Sequence, residues 1–168
     1  MQQNPSGIFI HYLTQLKTII NKIAIHQQHN PELLYTSLHS DMLPLLEQVR
    51  TTANFSLRTC CPLAQRERIS FDNNHESYAG LQQQLDQTIA YLQTLPPADF
   101  TKAPVTIQDQ AGFNQLDLPV DEYVNLYALP NFFFHLCMVY SIARQAGVPL
   151  SKGDFDGYHS YPHGFSFT

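Results

Sequence analysis

The chain has 168 residues, 43% hydrophobic and 12% aromatic, with a formal net charge of −5. That length suits one domain able to bury about 70% of its unfolded surface, and the apolar content excludes general disorder. Basic residues are scattered, with only Arg58, Arg66 and Arg68 loosely grouped, so no nucleic-acid face is expected.

Met1 to Pro5 shows no basic segment leading into an apolar core, so no signal peptide is expected. Phe9, Leu13, Leu16, Ile20 and Ile23 then recur at spacings of three and four, flanked by Tyr12 and Ile19. This predicts a long amphipathic helix of about six turns. Asn30-Pro31 reads as an N-cap with proline at the first helical position, opening a short helix through Leu38.

A second long helix is expected from Asp41, with Pro44 in its first turn and Met42, Leu45, Leu46, Val49 and Ala53 inward. Cys60-Cys61-Pro62 marks its end, and the polar stretch from Leu63 to Asn74 reads as a connection. The third helix is expected from His75 to Leu95, with Tyr78, Leu81, Leu85, Ile89, Leu92 and Leu95 on its inner stripe and Pro96-Pro97 as its stop. Between Pro104 and Pro119 the period changes to two around Gln110-Ala111-Gly112, which predicts a small β-hairpin lying against the helices.

The fourth helix is expected from Pro119 to Gln145, kinked or broken at Pro130, with Gly147 as the C′ residue. Its segment from Ala128 to Tyr140 is apolar on nearly every side, which predicts burial all round, and Cys137 reads as a core residue. The apolar run from Phe132 to Tyr140 is shorter than the roughly 20 residues a bilayer needs, so no membrane span is expected. Three cysteines, two of them adjacent, make no disulfide framework and suggest a reducing, cytoplasmic setting. The last stretch, Ser151 to Thr168, is rich in glycine and aromatics and reads as a non-helical segment packed on the bundle or on a neighbour.

One common core for these stripes implies an all-α four-helix bundle with Leu16, Leu45, Leu85 and Leu136 inside. Within it, Asn131 and His135 stand four residues apart, on one face of the last helix. Buried polar groups need partners. The second helix offers Asp41 and Gln48, which share a face with Leu45 if the helix begins at Asp41, and Tyr127 could add a phenol one turn before Asn131. Two readings stay open: a packed polar network, or the wall of a ligand or metal pocket between helices. The pair His159 and His163 lies among Gly157, Pro162 and Gly164, so its helical spacing reads as accidental. His26 and His29 read as surface residues, and Cys60 and Cys61 as structural ones.

Asp41-Met42-Leu43-Pro44-Leu45 with Gln48, Ala128-Leu129-Pro130-Asn131-Phe132-Phe133-Phe134-His135, and Gly147-Val148-Pro149-Leu150-Ser151-Lys152-Gly153-Asp154-Phe155 together resemble an uncharacterised bacterial family of the DinB/YfiT-like superfamily. The resemblance implies a DinB-like bundle over residues 1–155, with residues 156–168 as an added tail, and a homodimer. Classical members hold a divalent metal through one histidine of the second helix and a pair four apart on the last, and some are thiol-dependent transferases or isomerases. Here the last-helix pair corresponds to Asn131 and His135, and the second helix offers Gln48 or Asp41. With one of three histidines present, no metal and no cofactor are expected. The leading expectation is a bundle with a degenerate metal site that binds a small molecule or a protein partner. The rival is a thiol-dependent transferase or isomerase-like enzyme using His135.

Overall fold

The computed structural model describes residues 5–95, 101–162 and 164–166. Helix α1 (Ser6–His26) is followed by a 3-10 turn (Pro31–Tyr35), α2 (Leu45–Leu63), α3 (Tyr78–Thr94), strands β1 (Thr106–Ala111) and β2 (Asn114–Pro119), α4 (Val120–Gln145) and a short α5 (Lys152–Asp156). The expected stop at Pro96-Pro97 lies outside the described residues. α2 packs most extensively on α4, α1 on α3, and α2 also on α3. Phe9 of α1 meets Phe132 of α4 edge to face, with ring centroids 4.9 Å apart. The four long helices thus enclose one core, in which Leu16, Leu45, Leu85 and Leu136 are fully buried.

The local chemistry explains most boundaries. The Asn30 side chain accepts from Glu32 N at 3.1 Å, capping the 3-10 turn that Pro31 opens. Ser77 does the same for α3, accepting from Gly80 N at 3.0 Å. Gly147 has φ 82°, the left-handed residue that ends α4. In the hairpin, Ile107 pairs with Leu118 and Asp109 with Leu116, and Gly112 takes φ 57° in the two-residue loop.

Several expectations are corrected. α2 begins at Leu45, not Asp41, with an extended Pro44 as its N-cap. Pro44 disfavours helical geometry at the residue before it, so the helix cannot reach back through Leu43. α2 runs past Cys60 and Cys61 to Leu63, with Pro62 in its last turn.

α4 is one continuous helix. Instead of breaking at Pro130, it widens into a π segment, Tyr123–Ala128, immediately upstream. The Asn131 side chain donates to Tyr127 O at 2.7 Å across this region. Nor is the apolar stretch buried all round. Phe132, Leu136 and Val139 face the core, but Leu126 is 74% and Phe134 50% exposed, and Cys137 is exposed rather than a core residue. As one 26-residue helix of mean hydropathy 1.4 over its best window, α4 is long and apolar enough to cross a bilayer. That revises the estimate from the shorter run. A third of that window is buried inside this chain, in a bundle whose core it helps form.

The segment after Ser151 is not wholly irregular. A capping box between Ser151 and Asp154 starts α5, and Gly157 at φ 76° ends it. The tail then folds back on α1: His11 Nε2 contacts Asp156 O at 2.8 Å, and the His11 and Tyr158 rings stack at 5.1 Å.

Candidate functional site

Two polar clusters lie along the α2–α4 seam. The first joins Gln48 and His135. Gln48 is buried one turn into α2, and its Nε2 donates to Leu43 O at 3.1 Å, the carbonyl left over where the helix cannot continue backwards. That commitment turns Oε1 toward α4, where it stands 2.7 Å from His135 Nδ1. Since Oε1 can only accept, His135 Nδ1 donates, and in the neutral ring the Nε2 lone pair is left available. The imidazole stacks on Phe55 at 5.7 Å and 22° between planes. Burial lowers the His135 pKa below its usual value, so the neutral ring is favoured.

Asn131 sits one turn earlier, half-buried, with its amide engaged by the Tyr127 carbonyl. Tyr127 itself points elsewhere: its hydroxyl accepts from Arg58 at 3.2 Å and lies 3.3 Å from Gln110 O in the hairpin. Asp41 is not brought to the site. It lies before α2 on an exposed turn and pairs with His39 at 2.5 Å. The helical phase that would have aligned it with Gln48 does not exist, because α2 starts at Leu45.

The second gathering escaped the reading of the sequence. Asp109 is buried beneath the hairpin, and Arg58 of α2 grips both of its oxygens, at 2.8 Å and 3.2 Å. Tyr123 donates to the same carboxylate at 2.5 Å, and Gln110 N at 2.8 Å. Arg58 also donates to Gln110 O at 2.7 Å and lies over the Phe55 ring at 4.7 Å. Burial alone would raise the Asp109 pKa. The hydrogen bonds from Arg58, Tyr123 and Gln110 N outweigh it and hold the carboxyl below its ordinary value. Burial, then the Asp109 carboxylate, pushes the Tyr123 phenol well up, so it remains a donor. The Tyr123 hydroxyl also lies 3.5 Å from Arg58 O, the carbonyl that Pro62 cannot serve. A signal existed for this cluster, since in a two-residue period Asp109 shares the inward face with Ile107.

The chemistry of the donors decides what each place can hold. A divalent metal needs several imidazoles, thiolates or carboxylates converging within about 2.3 Å. At the Gln48–His135 seam the candidates are one imidazole, with Nε2 available, and two amides whose nitrogens are already hydrogen-bonded. Among the described residues no three His, Cys, Asp or Glu side chains cluster for a metal ion. The residues present do not fit the three-histidine metal of the superfamily. The Asp109 cluster is charge-balanced by Arg58 and closed over by the hairpin, which makes it a clasp. Cys60 and Cys61 are buried, and burial raises both thiols, so neither is poised as a nucleophile. His159 pairs with Asp156, and His163 lies outside the described residues.

Comparison with known proteins agrees with this architecture. The profile of a domain of unknown function, DUF1993, matches residues 3–156. A crystal structure of a DinB family member from Shewanella denitrificans superposes with a TM-score of 0.82 at 26% identity, covering 94% of this chain and 92% of that one. No curated protein matches the chain. The chain therefore belongs to the DUF1993 family, and its fold is that of a DinB-like helical bundle with a small β-hairpin inserted before the last long helix.

Proposed function

We propose that the protein is a binding module, in which the superfamily's metal position has become a polar lock between α2 and α4. The observation that carries this reading is the Gln48–His135 hydrogen bond at 2.7 Å. A side chain that can only hydrogen-bond stands against the one remaining imidazole, and the bond specifies how two helices meet. The partner we infer is a second copy of this chain. Leu126, Pro130, Phe134 and Cys137 follow one another at spacings of four and three along the outer face of α4, and all are exposed. An apolar stripe on a helix this hydrophobic is the kind of surface that association covers. The three cysteines are free thiols, which supports a reducing, cytoplasmic setting.

Elemental analysis of the purified protein, before and after dialysis against a chelator, tests the lock. Substoichiometric zinc and nickel, unchanged by His135→Ala, are the expected result. Near-stoichiometric metal that disappears with His135→Ala would overturn it. One observation favours the enzyme reading as a second choice: the His135 Nε2 lone pair has no partner among the described residues, and burial keeps the ring neutral. A general base needs that state. The enzyme reading requires a thiol-dependent turnover that His135→Ala abolishes while leaving the fold intact.

A further inference from the structure

A cavity of about 690 Å³ opens at the far end of α4, bounded by the Pro149–Lys152 turn and by Tyr161, Pro162 and residues 164–166 of the tail. Arg144 stands nine residues after His135, about two and a half turns along α4, and so on the opposite side of the helix. This cavity is therefore separate from the polar lock, and the argument for it does not rest on how His135 is read. Its volume falls in the range of about 300–1,000 Å³ that small-molecule sites occupy.

The lining has a definite chemical character. Tyr140, Tyr161 and Phe165 supply aromatic walls, and Arg144 and Lys152 supply the charge. Tyr161 and Phe165 stack at 5.2 Å with 11° between planes, and His159 stacks on Tyr161 at 6.1 Å. The tail thus carries a short column of parallel rings, and half-exposed Phe165 lines the cavity. Arg144 donates to Val148 O at 3.3 Å through one of its nitrogens, leaving further N–H groups of its fork uncommitted by that bond. Lys152 is exposed and has no ion-pair partner among the described residues. No aspartate or glutamate is among the lining residues. The nearest one in sequence, Asp154, is engaged by Lys22 at 2.6 Å and by Ser151 N at 2.8 Å. Two cations with no acidic residue among the described lining residues, beside stacked rings, call for a ligand that is flat and negative.

We propose that this cavity binds a planar aromatic small molecule bearing one anionic group, with the ring against Tyr140 and Phe165 and the anion on Arg144 and Lys152. The family profile ends at residue 156, so one wall belongs to the shared bundle and the other to the tail. The aromatic tail is then the closing wall of a site, which explains why a segment rich in glycine carries so many rings. Both a carboxylate and a phosphate ester satisfy the chemistry.

Isothermal titration calorimetry on the full chain tests this with 2-naphthoate, 2-naphthyl phosphate and neutral 2-naphthalenemethanol. We expect at least one anion to bind about tenfold more tightly than the alcohol, as a charge-assisted hydrogen bond implies. The tighter of the two names the anion. Arg144→Gln should erase that preference, and Lys152→Gln, an exposed change that spares the fold, should reduce it. Phe165→Ala should weaken all three probes. No binding of either anion at about 1 mM, equal binding of the alcohol, or affinities unmoved by both Lys152→Gln and Phe165→Ala would overturn the proposal.

Discussion

Gln48 Oε1 lies 2.7 Å from His135 Nδ1, and the same amide's Nε2 lies 3.1 Å from Leu43 O. One side chain thereby fixes the entry of α2, the tautomer of a histidine on α4 and the spacing of the two helices. Replacing Gln48 with Ala leaves both partners unserved in a buried seam, and the expected loss is about 1–3 kcal/mol. Urea unfolding of the variant measures it, and a loss near zero would show that water replaces the amide without cost.

The His135 pKa is lowered by burial in the folded state. The unfolded chain therefore binds this proton more readily, so the contribution of the neutral ring is present above the unfolded value of about 6.5 and is lost as pH falls through the folded one. Unfolding midpoints measured from pH 7.5 to pH 5 should fall more steeply for the native chain than for His135→Ala. Parallel slopes would assign the pH dependence to the other histidines.

Asp109 shows the opposite charge logic. Its carboxyl is held below its ordinary value by Arg58, Tyr123 and Gln110 N, against burial. Its contribution is present above the unfolded carboxylate value of about 3.9 and disappears as pH falls through the folded one. Asp109→Ala should cost about 2–3 kcal/mol at neutral pH, because Arg58 keeps its position without its partner. Tyr123→Phe should cost about 1 kcal/mol. Equilibrium unfolding of both variants, with fluorescence of a hairpin label, would show whether the hairpin detaches first.

Leu16, Leu45, Leu85 and Leu136 are fully buried, and each truncation to Ala should cost about 2–5 kcal/mol. Thermal unfolding by circular dichroism checks this directly.

For the proposed second copy, Phe134→Glu should produce a monomer at micromolar concentration by light scattering, with the helical spectrum preserved. A native chain that is already monomeric would remove the α4 stripe as a self-association surface.

The sequence carried much of the core because helical periodicity marks buried positions one residue at a time, as Leu85 and Leu136 show, although Met42 and Ile89 of the expected stripes are only half-buried. It also carried the hairpin, since the period of two and the turn at Gln110-Ala111-Gly112 announce it, and Gly112 lies in the loop. Two kinds of information were missing. Helical phase depends on where a helix begins, so a start four residues too early placed Asp41 on the face of Gln48. The exposure of Phe134 and Cys137 depends on what covers α4, and an apolar composition does not say whether the cover is the chain's own or a neighbour's. Asp109 escaped notice because its partners, Arg58 and Tyr123, come from α2 and α4, distant in sequence.

The π segment Tyr123–Ala128 stands between the hairpin clasp and the Asn131–His135 face. Each residue in a regular helix advances its side chain by about 100°, and a π turn holds one more residue than an α turn. The segment therefore acts as a phase offset: it lets Tyr123 and Tyr127 aim at Arg58 and the hairpin while Phe132 and Leu136 keep their aim at the core. Straightening this segment into a regular α-helix at constant length would turn everything upstream of it by about 100°. The hairpin would lose its grip on Arg58 although no clasp residue had changed. The one extra residue taken up by the π turn is thus what keeps the clasp face and the core face in phase.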